Sequence, residues 1–156
     1  MGTFRMSRNI EASLIDALTT GLAADGFSGI HVIKVFKQVY GGKFPSILVN
    51  VSNNPSTMRE IGSSTLFDDR EVTFRIFAES DGQRLDLADW LTEEILANIT
   101  YKTYTTVNGV ATGTSAGKIC TVRITENKKE LANSEKVAEK DRFRHIIRAD
   151  IRVQLS

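Results

Sequence analysis

A chain of 156 residues, 41% hydrophobic and 25% charged, can bury roughly two-thirds of its unfolded surface in one core and is unlike a disordered polypeptide. Its 20 basic and 19 acidic residues leave a formal charge of +1, so bulk charge points to neither a nucleic-acid binder nor a binder of anionic membranes. A single cysteine, Cys120, excludes an intrachain disulfide and any dependence of the fold on an oxidising compartment.

The opening MGTFRMSRNIEAS lacks the apolar run of a signal peptide or membrane span, and Met6 stands where a myristoylation pattern wants Ser or Thr. Synthesis in the cytoplasm, with no membrane partner, is the expectation. From about Asn9 to Ala24, Ile10, Leu14, Ala17, Leu18 and Gly21 recur at helical spacing. Ser7 or Asn9 could cap this helix, and Gly26 suits the left-handed position beyond its end. Ile30 to Val39 reads as a strand that is apolar on both faces. After YGGKFP, the stretch SILVNVS alternates Ile47, Val49 and Val51 with polar residues, predicting an antiparallel neighbour for it.

A polar connection, NNPSTMREIGSSTLFDD, follows, and long connections in compact domains are usually functional. The next strand, Arg70 to Glu79, puts Val72, Phe74, Ile76 and Ala78 on one face. The turn SDGQ then leads into a helix to about Ile99, with Ser80 and Gln83 spaced as a capping box. Ala88, Leu91, Ile95 and Ile99 form its apolar stripe, while Trp90 lies nearly opposite, among Asp86, Glu93, Glu94 and Ala97. The Thr-rich stretch Thr100 to Gly117 contains Val107-Asn108-Gly109-Val110, a two-residue hairpin signal, and predicts a small arm. Cys120, Val122 and Ile124 alternate in a further strand, the charged run Asn127 to Asp141 reads as a solvated loop or short helix, and RFRHIIRADIRVQLS is the clearest strand of all. The whole predicts one α+β domain over residues 1–156: a mainly antiparallel sheet of about five strands, two helices packed on one face, and a hairpin arm.

Chemistry is harder to find. GTSAGK, Gly113 to Lys118, superficially resembles a phosphate-binding loop but lacks one residue, places Ile119 where a Ser or Thr should hold magnesium, and leads into a strand. His31 and His145 have no companions at metal-ligand spacing. Cys120 could act as a nucleophile only beside a base, and a small buried side chain is the better reading. The acidic pairs Asp68 with Asp69, Asp86 with Asp89, and Glu93 with Glu94 are anchored to no second motif. Neither enzyme activity, cofactor nor metal is expected. Arg144, Arg148 and Arg152 share a strand face, where cross-strand ion pairing is favoured over phosphate contact. An exposed Trp90 with an acidic rim reads as an interface anchor. Met58, Leu66 and Phe67, apolar residues in a polar loop, and Tyr101 and Tyr104 in the arm join it as candidate contacts.

The N-terminal helix ending near DGFSGI, the strand around FPSILVNVS, and DDREVTFRIFAESDGQRLDLADWLTEEI together resemble the tail-terminator, or tail-completion, proteins of tailed bacteriophages. In those proteins a strand and small turn feed a helix of the form R-x-D-L-A-D-x-L, here Arg84 to Leu91. The resemblance implies a virion structural subunit, assembled in the host cytoplasm, that forms a hexameric ring on the tail tube. Such a ring ends tube growth, meets the tail tube protein on one side and neck proteins on the other, and lets DNA pass without specific binding. The nearest rival is another head–tail connector, an adaptor or stopper; a small nucleic-acid-binding domain is a more distant one.

Overall fold

The computed structural model describes residues 6–35, 43–53, 57–58, 66–67, 69–130 and 143–156. Helix α1 (Met6–Ala24) is followed by strands β1 (His31–Ile33), β2 (Ser46–Asn53), β3 (Thr57–Met58), β4 (Leu66–Phe67) and β5 (Asp69–Ala78). Helix α2 (Asp81–Leu96) comes next, then β6 (Ile99–Val107), β7 (Val110–Glu130) and β8 (Phe143–Leu155).

The fold is α+β, but the sheet differs from expectation: it has six strands, not about five, and is mixed, in the order β1-β2-β5-β8-β7-β6. Two features account for this. β1 pairs parallel to β2, not antiparallel, with His31 opposite Ser46 and Ile33 opposite Leu48. The expected arm is also no separate appendage, because its first strand, β6, is the edge strand of the main sheet. Of the expected strand Ile30 to Val39, the described part holds β1, and residues 36–42 lie outside the described ones. β3 and β4 form a two-residue antiparallel ladder of their own, Thr57 opposite Phe67 and Met58 opposite Leu66.

One face of the sheet and both helices share a core. Ile10, Leu14, Leu18 and Leu22 of α1 and Leu87, Leu91 and Ile95 of α2 pack with Ile47, Val49, Val72, Phe74, Ile76, Ile147, Ala149 and Ile151. Each such aliphatic or aromatic side chain, fully withdrawn from water, contributes roughly 1.5–3 kcal/mol before chain entropy is set against it. The period-two pattern read for β5 and β8 and the period-3.6 pattern of α1 are therefore the patterns of the packed core. α1 touches β1 and β2 near one edge and β6 at the other, so the sheet curls around this helix.

Bulges help that curl. β7 shifts register between Thr121 and Arg123 and again between Ile124 and Glu126, and the β6–β7 ladder shifts after Tyr101. Each bulge adds a residue and turns the chain. The simple alternation of Cys120, Val122 and Ile124 is overturned for that reason. Ile119 and Ile124 face the core, Val122 is exposed, and Cys120, opposite Arg152, is half-buried and not part of the core. GTSAGK lies within β7 as extended, paired backbone, Gly113 opposite Tyr104 and Lys118 opposite Thr100, which is no phosphate cradle. The charged run also begins as strand: Asn127 to Glu130 pair with β8, and residues 131–142 lie outside the described ones.

The predicted punctuation holds in part. Ser80 caps α2, its hydroxyl accepting from the Gln83 amide at 3.1 Å, while the Gln83 side chain accepts from the Glu79 amide at 2.7 Å. The helix stops at Leu96, so Ile99 serves β6. Asn108 and Gly109 have φ of 52° and 78°, as a type I′ hairpin requires, and Gly26 has φ of 80°. Ser7 and Asn9 are not caps; α1 begins at Met6 and carries both inside its first turns.

Candidate functional site

The residues singled out from the sequence go to different places. Trp90 is the principal correction: it is only 8% exposed and belongs to the core. The turn after α1 covers it. The indole Nε1 donates to Asp25 Oδ2 at 2.8 Å, and the Phe27 ring lies 5.8 Å away, tilted by 56°. Gly21 makes room for this, since a Cβ there would stand 3.1 Å from the indole and 3.0 Å from a Glu94 oxygen. A wheel drawn on α2 alone sees only the sheet-facing side; the end of α1 buries a second side. Trp90 is thus no exposed anchor.

Tyr101 is corrected likewise. It is 3% exposed, with its hydroxyl accepting from Asn9 Nδ2 at 3.3 Å. Tyr104 is half-buried and Glu93 is exposed on α2. Glu94 is half-buried, and its carboxyl is held above the usual range by burial, then by the nearby Asp25 and Glu93 charges. Met58, Leu66 and Phe67 sit on the β3–β4 ladder, and their side chains lie outside the described residues.

The outer face of the sheet is a lattice of opposite charges. Arg152 Nε and Nη2 meet both oxygens of Asp69 at 2.6 and 2.9 Å. Arg123 meets Asp150 at 2.6 Å, Arg148 meets Glu126 at 3.3 Å, and Arg75 and Arg144 both approach Glu130, at 3.4 and 4.0 Å. The Arg144 guanidinium also lies 4.9 Å from the centroid of the Phe77 ring. The arginine stripe therefore pairs with carboxylates across the strands, the arrangement favoured for it from the sequence. Among the described residues, no three of His, Cys, Asp and Glu come together as metal ligands would.

A buried polar relay, which sequence reasoning missed, ties α2 to β7 and β8. Arg84 Nη1 donates to His145 Nδ1 at 2.7 Å, so the ring proton resides on Nε2 and is donated to Asn127 Oδ1 at 2.6 Å. Asn127 Nδ2 continues to Thr92 Oγ1 at 3.2 Å, and Asp81 anchors Arg84 Nε at 2.9 Å. The only hint in the sequence was a cationic residue, Arg84, one helical turn before the apolar stripe. Burial and then the Arg84 charge lower the affinity of His145 for a second proton, against which Asp89 acts weakly. The sign follows. The unfolded chain takes up this proton first, near pH 6.5, so the contribution of His145 to stability is complete above that pH. It is lost as pH falls through the lower folded-state value. Unfolding of the wild type and of His145→Gln, measured in urea from pH 7.5 to 4.5, should show stabilities that converge as the pH falls; a constant gap would contradict the relay.

A groove of about 770 Å³ runs along α1. Its floor is Ala12, Ile15 and Thr19, one wall is Val32 to Lys34 at the β1 edge, and the other is Tyr104, Thr106 and Ala111 of the β6–β7 ribbon. The polar residues of α1 set the second wall. Ser13, 1% exposed, accepts from the Lys102 amide at 2.9 Å and donates to the Lys102 carbonyl at 3.3 Å. Asn9 Oδ1 accepts from the Tyr104 amide at 3.4 Å. The helix thereby stands in for the strand that the root of the β6 edge lacks. Ion pairs line the rim: Lys102 with Asp16 at 2.6 Å, which raises the Lys102 pKa, and Lys34 with Glu11 at 4.0 Å. No described helix is long and apolar enough to cross a membrane. Neither a scan of protein-family models nor a search of curated proteins returns a match for this chain.

Proposed function

We propose that this chain is a structural subunit of a tailed-bacteriophage virion, which with copies of itself forms a hexameric ring at the head-proximal end of the tail tube. The ring ends tube growth and joins the tail to the neck. The reading starts from the resemblance carried by Arg70 to Ile99. The observation that supports it most directly is the β6–β7 ribbon. Beyond the point where β8 ends opposite Gly117, this two-stranded ribbon continues to a tip at Val107 and Val110, each 65% exposed. An isolated two-stranded ribbon is marginal in water, and an exposed edge is a template for pairing with another chain. Such a segment suits a protein that works by contact with neighbours.

The paired arginines of the outer face favour this role over a nucleic-acid-binding one. Counterion release from phosphates drives tight binding of nucleic acid, and Arg148 and Arg152 already have carboxylate partners in this fold. A lumen so lined would let DNA pass without holding it.

Native mass spectrometry and negative-stain microscopy of the purified protein, alone and added to tail tubes, provide the test. A six-fold ring is expected in solution or on tube ends. A chain that stays monomeric in both settings would refute the proposal.

A further inference from the structure

We infer that His145 is an acid-operated latch: a second proton on its ring releases the N-terminal end of α2, residues 81–86, while the rest of the helix stays seated on the sheet. The device does not depend on the chain forming a ring. Of residues 81–86 only Arg84 is buried, and the first side chain of α2 to join the apolar core is Leu87. Gly82 has open space around it and lowers the helix propensity of this end. Arg84 is therefore the main tie between this end and the sheet, through His145 Nδ1 at 2.7 Å. The other contact, Lys129 with Asp81 at 4.0 Å, is half exposed on both sides and holds little. The remainder of α2 has anchors of its own. Leu87, Leu91 and Ile95 lie in the core, Trp90 is bonded to Asp25, and the Ile95 carbonyl accepts from Thr121 Oγ1 at 2.5 Å.

The Arg84 contact requires a bare Nδ1. A guanidinium only donates and keeps its charge, so a proton on Nδ1 sets N–H against N–H and cation against cation. Arg84 is 8% and His145 6% exposed, which leaves little water to screen them. Nε2 carries its proton in both states, so the bond to Asn127 survives and the break falls at Arg84. The surrounding charges do not offset it. On α2, Asp81 is engaged with Arg84 Nε, and Asp89 favours the extra proton less than Arg84 opposes it. From β7, Lys129 stands opposite His145 and adds a further cation; from β5 the opposite residue is the uncharged Ile76. On β8 itself, Arg144 turns to Glu130 and Phe77 on the outer face. Among the described residues no carboxylate is bonded to the ring. Opening a helix end that buries one polar side chain costs far less than global unfolding, so this end yields first.

Amide hydrogen exchange of the full chain and of His145→Gln, compared at matched pH from 7.5 to 4.5 without denaturant, tests the latch. Matching the pH cancels the acid dependence of exchange itself. In the unmodified chain, exchange at residues 83–86 should accelerate on the order of tenfold as the pH falls, while residues 91–95 keep their protection. In the variant, the protection of residues 83–86 should not change with pH. An equal pH response in both proteins overturns the latch, as does loss of protection along the whole helix at once. A second measurement needs no variant. In NMR titrations of the unmodified chain, the His145 ring and the Arg84 amide should shift with one midpoint, distinct from that of the exposed His31 on β1. An Arg84 amide that follows His31, or that does not move, refutes the inference.

Discussion

Replacing Gly117 by alanine is expected to destabilise the fold by about 3 kcal/mol. Gly117 sits where three strands meet, opposite Tyr101 of β6 and Leu155 of β8. A Cβ there would stand 2.1 Å from the backbone carbonyl oxygen of Gln154 and 3.0 Å from Leu155 Cα. Backbone cannot swing aside as a long side chain does, so β8 must retreat. That would also break the closing bond from the Ser156 amide to the Ala116 carbonyl, now 3.1 Å. Urea unfolding measures the loss, and a thermal midpoint lower by roughly 6–12 °C should accompany it. Gly82, in the first turn of α2 with nothing near its Cβ position, is the control; its replacement by alanine should be neutral or stabilise by about 0.5 kcal/mol. A Gly117→Ala protein as stable as the wild type would mean that β7 and β8 do not meet as described. The root of the ribbon is at stake in this substitution, so assembly should weaken along with stability.

The second large effect concerns Trp90. Truncation to alanine should cost about 3–5 kcal/mol, because it empties the space between Gly21, Phe27 and the core and leaves the Asp25 carboxylate without its indole donor. Trp90→Phe should cost less, about 1 kcal/mol for the hydrogen bond, and Asp25→Ala made on top of it should add little. A double-mutant cycle in urea isolates this coupling. The outcome separates two roles for one residue. If Trp90→Ala leaves stability unchanged but abolishes self-assembly, the indole is an interface anchor after all and the packing described here is wrong.

Both effects concern side chains or gaps whose importance depends on a neighbour distant in sequence, and this also divides what the sequence revealed from what it hid. Ser80 and Gln83 act through their own helix end. Asn108 and Gly109 act through their own backbone angles. The alternations of Val72 to Ala78 and of Ile147 to Ile151 reflect a strand with one apolar face. All of these were legible because the cause lies within a few residues of the effect. Much of the charge pairing on the outer face was also legible, since Arg144, Arg148 and Arg152 fall on one side of a strand and need carboxylates nearby.

What remained hidden required knowledge of which elements meet. The parallel pairing of β1, the bulges that reverse the facing of Cys120 and Val122, and the entry of β6 into the main sheet are properties of strand pairs. The same holds for the candidate sites. The relay from Arg84 through His145 to Asn127 joins residues from three elements, and the groove joins α1, β1 and the ribbon.

The sequence by itself determined an α+β fold with amphipathic helices, a capped second helix and a tight hairpin turn, because hydrophobic period and turn chemistry are local. Only the tertiary structure decided that Trp90 and Tyr101 are interior and that a charge-free ribbon is left standing in solvent. Burial depends on which surface arrives from elsewhere in the chain. For Trp90 that surface was the end of α1; beyond Tyr104 the helix covers the ribbon edge no further.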